Sequence, residues 1–109
     1  MTKFLFICSA NKDRSKTAED YFSEKFPEIE FISAGTNRKI CEQEGTNPLT
    51  EDMLEWAEKV FVMEEKHRQW IKTNIKGKYD HKISVLGIPD IYVYGGKNLI
   101  DILRQKIVF

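Results

Sequence analysis

Apolar positions along the chain fall into two alternating spacings. Phe4-Leu-Phe-Ile7 is an unbroken apolar run ending in Cys8, and after a polar turn Ala18, Tyr21, Phe22 and Phe26 recur at helical intervals. This pattern predicts a strand over Lys3–Cys8, a loop, and a helix over Ser15–Phe26 that Pro27 closes. Ile29–Ser33 predicts a second strand whose alternation, Ile29 then Phe31, suits a sheet edge. Residues 36–48 are polar and end in Thr-Asn-Pro, which predicts a loop. A second helix starts near Asn47 or Thr50, with Glu51 and Asp52 in its first turn and Met53, Leu54, Trp56 and Ala57 as its buried face. The run Lys59–Met63 predicts a third strand, continuous in apolar character as a central parallel strand is. A third helix over Glu65–Ile75 stops at Gly77, and Lys82–Leu86 predicts the fourth strand. The last helix, Asn98–Ile107, puts Leu99, Leu103 and Ile107 on one face.

Strands alternating with helices indicate an α/β domain, a parallel sheet covered by helices on both faces. Such sheets bind ligands beyond the carboxyl ends of their strands, and Cys8 stands at one of those ends. The helix that follows begins with unpaired N–H donors and a partial positive charge. Both favour a thiolate over a thiol and both attract an anion. Arg14 adds a planar fork that matches two phosphate oxygens. A nucleophile, an anion cradle and a two-point clamp therefore fall within a few residues. The competing reading of Cys8 is an inert small hydrophobe at a strand end. Its place directly between strand and helix favours the chemical reading.

The octet Cys8-Ser9-Ala10-Asn11-Lys12-Asp13-Arg14-Ser15 resembles the phosphate-binding loop of the low-molecular-weight protein tyrosine phosphatases, Cys-x-Gly-Asn-x-Cys-Arg-Ser. Cys8, Asn11, Arg14 and Ser15 match, Ala10 replaces the glycine and Asp13 the second cysteine. Ser33-Ala34-Gly35-Thr36 resembles that family's Ser-Ala-Gly-Thr, Thr50 to Glu64 its helix and strand ending in Met-Asp, and Asp90-Ile91-Tyr92 its Asp-Pro-Tyr. The likeness covers most of the chain, which is shorter than is usual for the family. It implies a single domain over residues 1–109, a three-layer sandwich with four parallel strands in the order 2-1-3-4. The activity it implies is hydrolysis of phosphomonoesters through a phosphocysteine.

Under that resemblance Cys8 attacks phosphorus, and the backbone N–H groups of Ser9, Ala10, Asn11, Lys12, Asp13 and Arg14 face the equatorial oxygens. Arg14 binds two of those oxygens. Ser15 either donates its hydroxyl to the Cys8 sulfur or caps the helix. Asn11 tolerates the positive φ that a loop wrapped on an anion needs. Alanine at position 10 requires a conformation open to an L-residue, and Asp13 must point outward. Asp90 is the candidate acid and base, with Glu64 and Asp101 as rivals; Glu64 has the alternative task of orienting Arg14. Tyr92, or failing it Tyr94, is the candidate substrate wall. His67 and His81 have no metal-ligand spacing and read as surface residues; no metal and no cofactor is expected.

A chain of 109 residues with a formal net charge of zero is one domain, with no global field to steer it towards nucleic acid or a membrane. Two cysteines, Cys8 and Cys41, make no disulfide framework and suit a reducing, cytoplasmic setting. No signal-peptide core and no stretch of membrane-spanning length is expected. Residues 42–58 hold six acids and no base, and residues 66–82 hold six Lys/Arg; the second run reads as the wet face of a helix and its following loop. The expected partner is a phosphorylated substrate, with a phosphotyrosine protein as the candidate. Three other readings compete: a phosphocysteine carrier of a sugar phosphotransferase system, an arsenate reductase, and a phosphate- or phosphopeptide-binding domain without catalysis. The carrier does not require an arginine at this spacing, and thioredoxin-coupled arsenate reduction needs cysteines after Cys41, where this chain has none.

Overall fold

Strand side chains point alternately to opposite faces, and in the first strand both faces are buried. The computed structural model describes residues 2–75 and 77–109. Its elements are β1 (Lys3–Cys8), α1 (Arg14–Lys25), β2 (Glu30–Gly35), α2 (Arg38–Glu44), α3 (Glu51–Trp56), β3 (Lys59–Val62), α4 (Glu65–Ile75), a short 3-10 turn (Asp80–Lys82), β4 (Ile83–Val85) and α5 (Lys97–Lys106). The strands form one parallel sheet in the order β2-β1-β3-β4, as expected, and β2 is an edge.

Phe4, Phe6 and Cys8 turn to the face covered by α1 and α5, where Ala18, Phe22, Leu99, Leu103 and Ile107 meet them. Leu5 and Ile7 turn to the other face, against Leu54 of α3, Ile71 of α4 and Tyr79. All seven phenylalanines gather on the first face. Phe6 lies 5.6 Å from Phe61 between ring centroids, and Phe109 lies 4.8 Å from Phe4. These contacts lock the end of the chain onto the sheet, beyond the helix that the spacing of Leu99, Leu103 and Ile107 predicts.

Strand and helix bounds shift by one or two residues, which is normal at frayed ends. One element departs from expectation. Residues 36–48 do not form a continuous loop, because Arg38–Glu44 is helical. Asn37 caps it by accepting the Ile40 N–H at 3.1 Å, and Gly45 ends it in the left-handed region at φ 69°. Only Cys41 of this helix is buried, so the segment shows no apolar stripe to read.

Candidate active site

The carboxyl end of β1 delivers Cys8 to the mouth of the loop 9–13, which runs into α1. Cys8 is 3% exposed, and its Sγ lies 3.0 Å from the Ser15 hydroxyl oxygen. The proton on that contact follows from the surrounding bonds. Asn11 donates one Nδ2–H to Ser15 Oγ and the other to Ser33 Oγ, both at 2.8 Å, while its Oδ1 accepts the Asn47 N–H at 3.1 Å. Ser15 Oγ is thus already an acceptor, and its own proton is free to point at sulfur. The Ser33 hydroxyl in turn donates a hydrogen bond to Glu19 Oε1 at 2.5 Å. A chain of bonds from α1 through β2 and the loop therefore aims a hydroxyl at the nucleophile. Ser15 is the sulfur's partner and not the helix cap, which falls to Asp13 without any side-chain cap bond.

Asn11 has φ 52°, the only positive φ among the described non-glycine residues. The loop thus turns at the asparagine, and Ala10 adopts a conformation open to any L-residue. Among the described residues, no backbone N–H of Ser9 through Asp13 donates to a protein acceptor. The carbonyls on the other side are taken: Asn37 N–H donates to Ser9 O, and Thr46 Oγ1 donates to Ala10 O at 2.6 Å. A loop with bonded carbonyls and open N–H groups is an anion cradle. Gly35 makes the close approach possible, since a Cβ there would lie 2.5 Å from Ser9 O and 2.6 Å from Cys41 Sγ.

Arg14 is 2% exposed, the first residue of α1, and held from three sides. Its Nη1 donates to Glu64 Oε2 at 2.5 Å and to the Ile88 carbonyl at 2.9 Å. That uses both Nη1 protons and leaves Nε–H and Nη2 as the free edge of the fork. Asp90 Oδ1 lies 3.8 Å from Nε, so the carboxylate on the loop after β4 reaches the same edge. Glu64 is committed elsewhere. Burial pushes its carboxyl up, but the Arg14 hydrogen bond and charge outweigh this and hold it below the usual glutamate range. Its carboxylate is the anchor of Arg14. Asp101 sits within α5 and not on the loop that carries Asp90.

Asp13 turns away from the cradle: its Oδ1 accepts the Tyr94 N–H at 3.0 Å, and Gly95 N–H donates to Thr17 Oγ1 at 2.9 Å. These bonds fasten the Asp90–Gly96 loop to α1. Tyr94 donates its hydroxyl hydrogen bond to Asp20, whereas Tyr92 is half-buried against the core cluster. Ile91 and Val93 are the exposed apolar side chains beside Asp90. Lys12 points outward to Glu44 at 3.3 Å.

His67 overturns its surface assignment. It is 1% exposed at the start of α4, accepts the Glu64 N–H on Nδ1 at 3.0 Å, and lies 2.9 Å from Ser9 Oγ through Nε2. Burial and the Arg14 charge push its pKa down to about 4 against the opposing pull of Glu64, so the ring is neutral at pH 7. With Nδ1 an acceptor, the proton sits on Nε2 and is donated to Ser9. The sequence carried a signal for this: His67, Ile71 and Ile75 are spaced i, i+4, i+8, on one face of the helix. His81 is exposed as expected, and no cluster of metal-ligand type occurs among the described residues.

No protein-family model and no curated protein matches this sequence. Solved structures do match it over nearly its whole length. A low molecular weight protein tyrosine phosphatase from Streptococcus pyogenes, SP-PTP, is 18% identical with a TM-score of 0.73, covering 96% of this chain and 85% of its own. The YwlE arginine phosphatase from Geobacillus stearothermophilus is 22% identical at 0.68, covering 97% and 92%. A low molecular weight protein tyrosine phosphatase from T. tengcongensis is 23% identical at 0.69, covering 98% and 100%. At such identities the shared property is the fold: this chain has the fold of the low molecular weight phosphatases.

Proposed function

We propose that the chain is a cysteine-dependent phosphomonoesterase that acts through a phosphocysteine. The observation that carries this reading is the buried Arg14. Its Nη1 is tied off by Glu64 and Ile88, and its Nε edge is left to face the Asp90 carboxylate at 3.8 Å, on the helix that begins where the Cys8 loop ends. A phosphocysteine carrier needs no such clamp. In the first step the Cys8 thiolate attacks phosphorus and forms the S–P bond as the bond to the leaving oxygen breaks, and Asp90 gives that oxygen its proton. In the second step Asp90 takes a proton from water, water attacks phosphorus, and the S–P bond breaks to release phosphate and the thiolate. Loop N–H groups and Arg14 carry the charge that develops on the equatorial oxygens in both steps. Ser15 steadies the sulfur as it leaves.

The position of Asp90 supports its role. It is 64% exposed on the rim, 3.8 Å from the Arg14 edge that would hold the phosphate, whereas Glu64 is bound to Arg14 Nη1. Wild type should hydrolyse p-nitrophenyl phosphate, and Cys8→Ser should be inactive. Asp90→Asn should lose on the order of a hundredfold on a tyrosyl phosphate and much less on nitrophenyl phosphate, whose leaving group needs little help. Phosphocysteine should then be visible by mass after an acid quench. A wild type that hydrolyses no aryl phosphate refutes the enzyme reading, and an Asp90→Asn variant as fast as wild type removes Asp90 from its role.

A further inference from the structure

Beside the phosphate loop lies a groove of about 530 Å³, within the range of side-chain and small-ligand pockets. Its rim is stitched to the nucleophile, because Thr36 N–H donates to Cys8 O at 3.0 Å and Asn37 N–H to Ser9 O at 2.9 Å. Ser9, Thr36, Asn37, Arg38, Lys66 and Trp70 line it together with His67. What these residues present is consistent in sign. Ser9 Oγ already accepts the His67 Nε2–H, so the hydroxyl proton is directed away from the imidazole. Asn37 spends its carbonyl oxygen on the Ile40 N–H, which leaves its NH2 as donor. Arg38 and Lys66 both line it, one from α2 and the other from α4. Among the described residues no carboxylate lines the groove. The nearest partners are Glu42, 3.6 Å from Arg38, and Glu64, 3.7 Å from Lys66 and already bound to Arg14. Both cations are more than 60% exposed, so these pairs are weak and readily exchanged.

We infer that this groove is a subsite for a second anionic group of the substrate, a carboxylate side chain flanking the phosphorylated residue of a peptide segment. The inference rests on the phosphatase reading for the place of the phosphate itself. A peptide held with its phosphate in the cradle leaves over the Ser9 rim. An acidic neighbour then meets Arg38 and Lys66, a hydroxyl donor from Ser9, and the half-exposed Trp70 as an apolar rest for its chain. His67 is the positioning residue of this subsite, since it fixes which way Ser9 donates.

The test uses two peptides that carry a non-hydrolysable phosphonate analogue of phosphotyrosine, one flanked by Glu and one by Gln, titrated into wild type and into the Arg38→Gln/Lys66→Gln double variant. In wild type at low salt the Glu peptide should bind about tenfold tighter, as two solvent-exposed charge contacts allow. That preference should shrink towards unity at 0.5 M salt and fall within twofold in the double variant. Equal affinities in wild type, a preference for Gln, no binding of either peptide, or an undiminished preference in the double variant would each overturn the subsite. Hydrolysis of p-nitrophenyl phosphate, too small to fill the groove, separates the two readings. Hydrolysis with equal peptide affinities removes the subsite alone, while a Glu preference without hydrolysis keeps the subsite and removes the enzyme.

Discussion

Lowering the pH from 7 to 4 should weaken the fold through one buried imidazole. His67 accepts the Glu64 N–H and lies within the field of Arg14, so a second proton would break the first bond and set two cations together. Its pKa is about 4 in the folded chain and 6.5 when free. Between those values the unfolded chain binds a proton that the folded chain refuses. Stability therefore rises with pH across this window and falls as the solution is acidified through 6.5, by about 1.4 kcal/mol per pH unit, flattening below 4. The whole window is worth about 3 kcal/mol, a large share of the 5–15 kcal/mol typical of a domain. Glu64 acts with the same sign but lower, because a carboxyl held below its ordinary pKa loses its contribution only as pH falls through that depressed value. Urea denaturation of wild type and His67→Gln at half-unit steps from pH 7.5 to 4 isolates the imidazole as the difference between two curves. Wild type should lose about 3 kcal/mol more than the variant over the range. Parallel curves, or a His67 ring that titrates near 6.5 by NMR in the folded protein, would refute the reasoning.

Two further substitutions probe the loop. Arg14→Lys keeps a charge for Glu64 but not a fork that can serve Glu64, Ile88 and two phosphate oxygens at once; kcat should fall by a hundredfold or more with the denaturation midpoint nearly unchanged, and a rate near wild type would deny the clamp. Gly35→Ala places a methyl 2.5 Å from Ser9 O and 2.6 Å from Cys41 Sγ, and should cost about 1–3 kcal/mol in urea denaturation. Adding Cys41→Ala should restore only part of this, since the backbone oxygen remains; full restoration would put the conflict at the sulfur alone.

The parts of the site that the sequence discloses are those joined by local covalent geometry. A strand that ends in Cys8, a loop that can turn only where Asn11 takes a positive φ, and a helix that opens with Arg14 all lie within one continuous stretch, where spacing and position carry the information. The parallel sheet was legible for a similar reason, because apolar runs alternate with amphipathic helices; its order, 2-1-3-4, came instead from the resemblance of the loop and later motifs to the low-molecular-weight phosphatases. The helix Arg38–Glu44 escaped because its stability resides in its ends: Asn37 and Gly45 supply the caps, and a single buried side chain supplies the packing.

His67 shows the limit more sharply. Two observations compete over that stretch, a run of basic residues that marks a wet surface and an i, i+4, i+8 spacing that marks a buried face. Both are true of α4, since Arg68 and Lys72 face outward while His67 and Ile71 are buried. Charge density describes the helix as a whole, whereas periodicity describes each side chain, so periodicity is the better guide to one residue. Periodicity alone still stops short of function. It can bury an imidazole, but the chemistry depends on what meets its two nitrogens, and Ser9 and Glu64 come from elements far apart in the chain. A neutral ring that accepts on one side and donates on the other links the turn that anchors Arg14 to the residue following Cys8. The fold creates that connection by bringing β1 and β3 side by side, and only there does a histidine among lysines become part of the site.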